Sequence, residues 1–340
     1  MTTSQISSIR KHKPRPGLVL AVLAAAVLLS AVLGLLCGSV GMDVVKAARD
    51  LCTGVASAEA TILLHVRLPR MLGGLAAGGA LAMAGVIIQA MLGNPLAGPN
   101  IIGVNAGAGM AAVICCAVLP TAVGVLPLAS LIGAFGAMAL VYTVARKTGA
   151  SRITLVLAGV IINSMLGAVS DSITTLMPDV LVGANTFRMG SLSGVTLASL
   201  LPALVLILPA AVVTLFLSNE LDVLSLGDDT ARTLGMSVRP MRLVFMILAA
   251  ALSGGSVSFC GLLGFVGLIV PHMARALVGT ESRLLLPASG LLGASFLCLC
   301  DLLTRIIFAP FEFPVGIIMA FLGGPFFLWL LIRQKGGKRI

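Results

Sequence analysis

Residues 71–92 read MLGGLAAGGALAMAGVIIQAML, and they open an interval of 75 residues, from 71 to 145, that contains no charged side chain. An apolar helix needs about 20 residues to cross the hydrocarbon core of a bilayer. The interval is therefore long enough for three spans joined by short turns. Within it, Gly74, Gly78 and Ala82 recur at every fourth position, which predicts a small-residue face where another helix packs closely.

The composition of the whole chain agrees with this interpretation. Of its 340 residues, 59% are hydrophobic and only 10% are charged, with one Trp and one Tyr. These values lie well outside the range of soluble globular domains. A transmembrane β-barrel would instead alternate apolar and polar residues in segments of about ten. We expect an all-α membrane protein, a polytopic bundle with about ten transmembrane helices and both termini in the cytoplasm.

Apolar runs separated by charged residues, proline and glycine predict the ten spans. Their predicted ranges are 18–38, 69–89, 101–119, 125–145, 153–171, 198–217, 241–260, 262–277, 284–307 and 315–332. A basic tail, 1–17, precedes a single transmembrane domain, 18–333, and a second basic tail, 334–340, follows it. The first apolar run exceeds the usual 7 to 15 residues of a signal-peptide core, so we expect it to be retained.

The distribution of basic residues tests the orientation. With a cytoplasmic N-terminus, the segments predicted to lie inside hold 16 of the 22 Lys and Arg residues. This asymmetry follows the positive-inside rule. The basic residues left outside are Lys46, Arg49, Arg67, Arg70, Arg188 and Arg305. The basic residues behind the net charge of +10 lie near helix ends, where membrane lipid is the expected partner. They form no single patch interleaved with aromatic residues, so we expect no nucleic acid as a partner.

Motifs for catalysis are missing from the sequence. It has no G-x-x-x-x-G-K-[ST] phosphate loop, no H-E-x-x-H and only three histidines. Its seven cysteines form no C-x-x-C pair, so we interpret them as small hydrophobic residues. We therefore expect no catalytic residue, no metal site and no cofactor, and we expect that the chain is not an enzyme.

The loop after the sixth predicted span is distinctive. Residues 225–238 read SLGDDTARTLGMSV, in which Gly227 and Gly235 bracket a piece that begins with two aspartates and carries Arg232 later. Acidic residues near an N-terminus and glycine after a C-terminus are typical of a short helix. We expect such a helix on the cytoplasmic face to be the element that another protein binds and moves. An ordinary connecting loop is the alternative.

Ionisable residues near the bilayer midplane would indicate an ion-coupled transporter. The candidates, Asp171, Asp301 and Arg305, all lie near predicted span ends. Asp301 and Arg305 stand four residues apart with the acid first, which predicts an intrahelical ion pair. These positions favour an energy source on another chain. An ion-coupled secondary transporter acting alone is the alternative.

Several separate motifs follow one another along the chain. They are RLPR at 67–70, the small-residue second span with Gln89, NPLAGPNIIGVNAGAG at 94–109, SLGDDTARTLG at 225–235 and GFVGLIVPHMAR at 264–275. In this combination the chain closely resembles the FecCD-type family, the iron-siderophore, haem and vitamin B12 permeases of type II ABC importers. The resemblance covers nearly the whole chain, from about residue 18 to 333.

The resemblance implies a set of partners and a location. Members of the family work in the cell (inner or cytoplasmic) membrane as a dimer of permease subunits, so a second subunit, identical or a sibling, is expected. Two cytoplasmic ABC ATPases and an extracytoplasmic substrate-binding lipoprotein or periplasmic protein complete the importer. The cargo is a large metal chelate, with a ferric siderophore as the first expectation and haem or cobalamin as alternatives.

The resemblance also implies roles for individual residues. Arg67, Arg70 and Arg305 match outer-face arginines that hold acidic residues of the binding protein, and plain helix-end anchoring is the alternative. Segment 225–238 matches the coupling helix that docks on the ATPase, with the contacts expected at Leu226, Gly227, Asp228, Asp229, Ala231, Arg232, Leu234 and Gly235.

Two further sets of positions match the family. The cytoplasmic gate is expected at Asn94 and Leu96 and at the turn of Ala150 and Ser151. Ala150 stands where some relatives carry a hydroxyl residue, and Asn94 has the alternative role of a turn residue before proline. Pro271, His272 and Arg275, in GFVGLIVPHMAR, are expected at a helix end near the ATPase, and we expect no metal at the histidine.

Overall fold

The computed structural model describes residues 16–38, 41, 43–55, 57–119, 123–149 and 151–336. In these residues all regular structure is helical. The α-helices are α1 (Pro16–Leu36), α2 (Val44–Thr53), α3 (Ala58–Ile62), α4 (Leu68–Leu92), α5 (Val104–Val118), α6 (Leu126–Lys147), α7 (Arg152–Leu176), α8 (Leu181–Met189), α9 (Leu197–Phe216), α10 (Ser218–Ser225), α11 (Asp228–Thr233), α12 (Val238–Cys260), α13 (Val266–Val278), α14 (Ser282–Ile307) and α15 (Val315–Gly336).

Each of the ten predicted spans corresponds to one helix of the structure. Among the described residues, seven helices are long and apolar enough to cross a membrane, and α3 and α4 count as one of them. The other three correspond to shorter apolar helices, Val104–Val118, Val266–Val278 and Val315–Trp329. The all-α polytopic class is confirmed, and the predicted count of ten is approximate: it is reached when the three shorter helices are added to the seven long ones.

Two helices start three to four residues later than predicted, because glycine-containing turns precede them. The span predicted from residue 101 starts as α5 only at Val104, after a 3-10 turn over Pro99–Ile102 and Gly103 at φ 86°. The span predicted from 262 starts as α13 at Val266. Gly261, at φ 72°, ends α12, and the backbone of Leu262 donates a hydrogen bond to Phe187 O at 2.9 Å before the next helix begins.

Helix α4 lies at the centre of the bundle and is buried along nearly its whole length. It packs against α12, α13 and α14. It approaches α14 closely, because a Cβ added to Gly78 would overlap the carbonyl oxygen of Gly293, and a Cβ added to Gly293 would overlap that of Gly78. The small-residue face predicted around Gly78 is therefore confirmed as a helix contact.

The peripheral helices turn apolar side chains outward. Large hydrophobic residues of α1, α6, α7 and α9 are exposed on the surface of the single chain; examples are Leu28, Ile132, Leu157 and Val205. Such surfaces suit lipid tails or a neighbouring subunit, because either one removes the apolar side chains from water. These helices form the outer layer of the bundle.

The two ends of the bundle are named here after the predicted orientation. The outer end carries the beginning of α4 and the short helices α2 and α3, which are joined by an ion pair of 2.9 Å between Lys46 and Glu59. Hydrogen bonding to this carboxylate raises the pKa of Lys46. The inner end carries α10, α11 and the end of α4. The tail residues 1–15 and 337–340 lie outside the described residues.

Candidate functional site

At the outer end, a buried ion pair joins α4 to α14. Arg70 Nε lies 3.0 Å from Asp301 Oδ2, and Arg70 Nη2 donates a second hydrogen bond to Asp301 Oδ1 at 3.0 Å. Both side chains are only 3% exposed. A bidentate contact of this kind fixes the angle between the two groups as well as their distance. The helices are therefore locked together near their outer ends.

The same carboxylate serves a second arginine. Arg305 Nε lies 3.2 Å from Asp301 Oδ2, one helical turn away, which confirms the predicted intrahelical pair. Arg305 also donates to Gly34 O at 3.2 Å. Arg67 donates to Leu35 O at 2.7 Å and to Leu36 O at 2.8 Å. The guanidinium groups of Arg67 and Arg305 thus cap carbonyls at the end of α1, as cations do at helix C-termini.

Glu312 completes this outer cluster, which comprises Arg67, Arg70, Arg305, Asp301 and Glu312. Its Oε2 lies 2.7 Å from Arg70 Nη1, and its side chain is 49% exposed. The three arginines are buried, so the carboxylate of Glu312 is the part of the ion pair with Arg70 that solvent reaches. The cluster holds three positive and two negative side chains, a net charge of +1. Docking by these arginines stays a prediction, and helix anchoring is observed for all three.

At the inner end, the predicted short helix is present as α11. Gly227 stands before its first residue, with φ 112°, and Gly235 follows it with φ 85°. Both backbone conformations favour glycine. Leu226 and Leu234 flank the helix and are each 61% exposed, whereas Ala231 is buried against the body. Asp229 and Arg232 form an exposed ion pair of 3.2 Å along it.

Asp228 attaches α11 to the rest of the bundle. Its Oδ1 lies 2.5 Å from Arg242 Nη2, on α12, and 3.8 Å from Arg152 Nε, at the start of α7. Arg242 is nearly fully buried. A carboxylate in the first turn also interacts favourably with the N-terminal end of a helix. Helix α11 is therefore a short exposed element with a fixed base.

The predicted gate residues Asn94 and Leu96 follow α4 in a tight turn. Asn94 Oδ1 accepts a hydrogen bond from Leu96 N at 2.9 Å, so the turn-residue alternative for Asn94 is confirmed. Leu96 borders a cavity of about 250 Å³ that is also lined by Asn100, Asn105 and Phe265. The gating role itself stays a prediction.

The second predicted gate turn leads into α7. Ser151 is the N-cap of that helix, where its side chain accepts a hydrogen bond from Thr154 N at 3.1 Å. Ala150 lies outside the described residues. The next residue, Arg152, lies against Gly93, since a Cβ added to Gly93 would overlap Arg152 Nη1. The turns that follow α4 and precede α7 are thus neighbours in space.

The placement of Pro271, His272 and Arg275 at a helix end was wrong for Pro271 and His272, which lie in the middle of α13. Pro271 is buried in the interior of α13, because that helix continues to Val278. His272 meets the ring of Phe326 edge-on at 6.0 Å. Arg275 points to α4, where its Nη1 donates to Gln89 Oε1 at 2.5 Å. In this structure the cluster connects helices of one chain, and contact with an ATPase stays a prediction.

Sequence reasoning gave no role to four polar residues that the structure places at the two ends. Glu312 binds Arg70, Gln89 binds Arg275, and Arg152 and Arg242 hold Asp228. Sequence analysis used Arg152 and Arg242 only to predict the orientation of the chain. Their position close to the short turns at the inner end was the feature that pointed to a contact there.

Among the described residues, no group of three or more His, Cys, Asp or Glu side chains could hold a metal ion. Cys115, Cys260, Cys298 and Cys300 are buried. Their surroundings agree with the interpretation of these cysteines as small hydrophobic residues.

Comparison with known proteins gives consistent matches. The chain is 39% identical over 280 residues to the hemin transport system permease protein HmuU of Yersinia pestis, a match that covers 81% of this chain and 84% of the relative. It is 40% identical over 280 residues to the Fe(3+) dicitrate transport system permease protein FecD of Escherichia coli (strain K12), covering 81% and 86%.

A solved structure matches over almost its full length. It is described as an inward-facing conformation of a metal-chelate type ABC transporter, with a TM-score of 0.82 and 29% identity, covering 93% of this chain and 99% of that one. The sequence profile of the FecCD transport family matches residues 23–333. With its apolar helices and these matches, the chain is a multi-pass protein of the cell membrane and belongs to the FecCD transport family.

Proposed function

We propose that the chain is the permease subunit of an ABC importer that moves a large metal chelate across the cell membrane. A ferric siderophore is the first candidate cargo, and haem and cobalamin are the alternatives within the family. The permease does no chemistry on its cargo. ATP is hydrolysed by two cytoplasmic partner subunits, and a second permease subunit, identical or a sibling, forms the other half of the central path.

The observation that carries this proposal is the form of α11. An isolated six-residue helix gains little stability on its own, yet this one is held at its base by Asp228 and displays Leu226 and Leu234 to solvent. Exposed leucines on a fixed element are typical of an interface. A nucleotide-driven movement of an ATPase that binds α11 would be passed to α7 and α12 through Asp228.

The outer cluster supports a specific form of docking. Arg67, Arg70 and Arg305 are buried, so an acidic side chain of a binding protein would reach Arg70 through the exposed position of Glu312. In our proposal an incoming carboxylate replaces that of Glu312 on Arg70. The excess positive charge of the cluster favours this exchange, and it attracts an acidic partner before contact.

Reconstitution tests the proposal. A thermal-shift screen of the cognate binding protein with a ferric siderophore, haemin and cobalamin first selects the cargo. The selected chelate is then offered to liposomes that contain the permease together with its ATPases. ATP-dependent uptake that requires the binding protein is the expected result.

The same liposomes test the alternative class. An ion-coupled secondary transporter would accumulate the chelate under a proton or sodium gradient with the permease alone. Uptake under a gradient without ATPases would overturn the importer proposal. Absence of uptake with all partners and ATP present would also contradict it.

A further inference from the structure

Arg152 occupies a position that its location in the sequence does not reveal. It is the first residue of α7, directly after the N-cap Ser151. Its side chain runs toward α10, where Nη2 donates to Leu224 O at 2.7 Å and to Ser225 O at 3.3 Å. These carbonyls lie at the end of α10, where the helix offers few backbone donors; Leu224 O also accepts a hydrogen bond from Gly227 N at 3.3 Å. One guanidinium therefore caps the helix that leads into α11.

The same guanidinium contacts α11 and α12 through one carboxylate. Its Nε lies 3.8 Å from Asp228 Oδ1, and Arg242 on α12 lies 2.5 Å from that oxygen. The side chains of Arg152 and Asp228 are 26% and 23% exposed, so the pair is partly shielded from water and salt. Any displacement of α10 and α11 thus acts on a charged group attached to the start of α7.

The third contact of Arg152 is with the turn that follows α4. Gly93, at φ 62°, is the C-cap of α4 and precedes Asn94. A Cβ at residue 93 would overlap Arg152 Nη1, so only glycine leaves room for the guanidinium at this distance. The turn with Asn94 and the turn with Ser151 therefore meet at one side chain.

We infer that Arg152 is the positioning residue that transmits movement of α10 and α11 to both gate turns. This inference rests on the proposed function, because it needs an ATPase that moves α11. The planar guanidinium suits this role, because it binds two carbonyls, faces a carboxylate and places Nη1 against a glycine at the same time. A lysine ammonium is a point charge on a flexible stem and holds only part of this arrangement.

A labelling experiment follows the gate turn directly. A single reporter cysteine replaces the exposed Pro95, and the permease is assembled with its ATPases in nanodiscs. Labelling of residue 95 by a membrane-impermeant maleimide is measured by peptide mass spectrometry, so that the seven native cysteines do not contribute. Rates are compared without nucleotide and with ATP and vanadate. The reporter cysteine is introduced into the parent protein, which keeps Arg152, and into the variants Arg152→Gln and Arg152→Lys. The control variant is Arg146→Gln, which alters an exposed arginine at the end of α6.

The parent and Arg146→Gln should change their labelling rate with nucleotide by on the order of fivefold or more, the usual lower range of coupling between sites. Arg152→Gln should hydrolyse ATP and lose this change, and Arg152→Lys should restore part of it. A merely structural role would alter assembly and leave the nucleotide response of the assembled complex intact.

Two results would overturn the inference in different ways. A full nucleotide response in Arg152→Gln shows that the turns move without Arg152, while the proposed function stands. A parent that neither binds the ATPases nor responds to nucleotide removes the proposed function itself. If Arg152→Gln does not assemble, Arg152→Lys decides: a response at least halved supports the inference, and an unchanged one rejects it.

Discussion

Arg70 and Asp301 are 231 positions apart in the chain, yet they form a bidentate ion pair of 3.0 Å in which both side chains are 3% exposed. The pair joins the first turn of α4 to the last turns of α14. A buried charge without a partner is strongly unfavourable, so the contact tolerates the loss of neither member. The stability that this pair contributes can therefore be measured separately from that of the exposed Glu312 beside it.

Asp301→Asn should destabilise the permease severely, because it leaves Arg70 and Arg305 buried beside a neutral amide. Removing one partner of a buried pair costs about 3–5 kcal/mol. Thermal unfolding in detergent, followed by the reaction of the buried Cys298 and Cys300 with a thiol dye, measures the effect. The matched control is Glu312→Gln, which removes a half-exposed carboxylate and should cost no more than about 1 kcal/mol. Equal losses in the two variants would contradict the buried pair.

Gly78→Ala should separate α4 from α14, because the added methyl group overlaps the carbonyl oxygen of Gly293. Overpacking of this kind costs about 1–3 kcal/mol. Gly136→Ala is the matched control, since a Cβ there meets nothing within 4 Å and alanine favours the helix by about 1 kcal/mol. The same unfolding assay should give a lower midpoint for the first variant and an unchanged or higher one for the second. A neutral Gly78→Ala would show that the two helices adjust freely.

Replacing both Leu226 and Leu234 by aspartate should abolish binding of the ATPases and leave the permease folded. Burying one leucine contributes about 1.5–3 kcal/mol, so loss of two should weaken the complex by well over tenfold. Co-purification of the ATPases with the tagged permease measures this. Thr233→Ala, an exposed neighbour on α11, is the control. Retention of the ATPases by the aspartate variant would remove α11 from the interface.

Glu312→Gln should strengthen docking of the binding protein, because Arg70 then loses its exposed competitor. The gain should be about fivefold in affinity, the equivalent of about 1 kcal/mol. Surface plasmon resonance on permease in nanodiscs measures it, and the gain should shrink at high salt as exposed charges are screened. Weaker binding by the variant would instead make Glu312 a direct contact of the partner.

Many features of the fold were readable from local sequence. Apolar runs gave the ten helices because each span needs a long stretch of apolar residues whatever its neighbours are. The face around Gly78 and the pair of Asp301 and Arg305 were predictable because helical periodicity alone brings residues four positions apart together. The glycines around 227–235 gave α11 for the same local reason.

Contacts between distant segments were not readable in this way. Nothing in the residues near position 70 indicates that Asp301 and Glu312 will meet Arg70, so arginines counted as outward-facing proved to be buried. Arg152 looked like one more basic residue at a helix end, although its role depends on Gly93 and Asp228, which approach from separate parts of the chain. The starts of α5 and α13 were missed because their apolar residues begin before the helical backbone does.

Helix α4 carries Arg70 in its first turn and ends at Gly93, so one element of 25 residues, about 37 Å long, reaches from the outer cluster to the contact with Arg152. Free-energy coupling between two binding sites is reciprocal. If this helix is the link, the factor by which a docked binding protein alters nucleotide affinity equals the factor by which nucleotide alters the affinity for the binding protein. Measuring either quantity on the assembled importer then gives the other, and an importer that releases its binding protein on binding ATP must also bind ATP less tightly while that protein is docked.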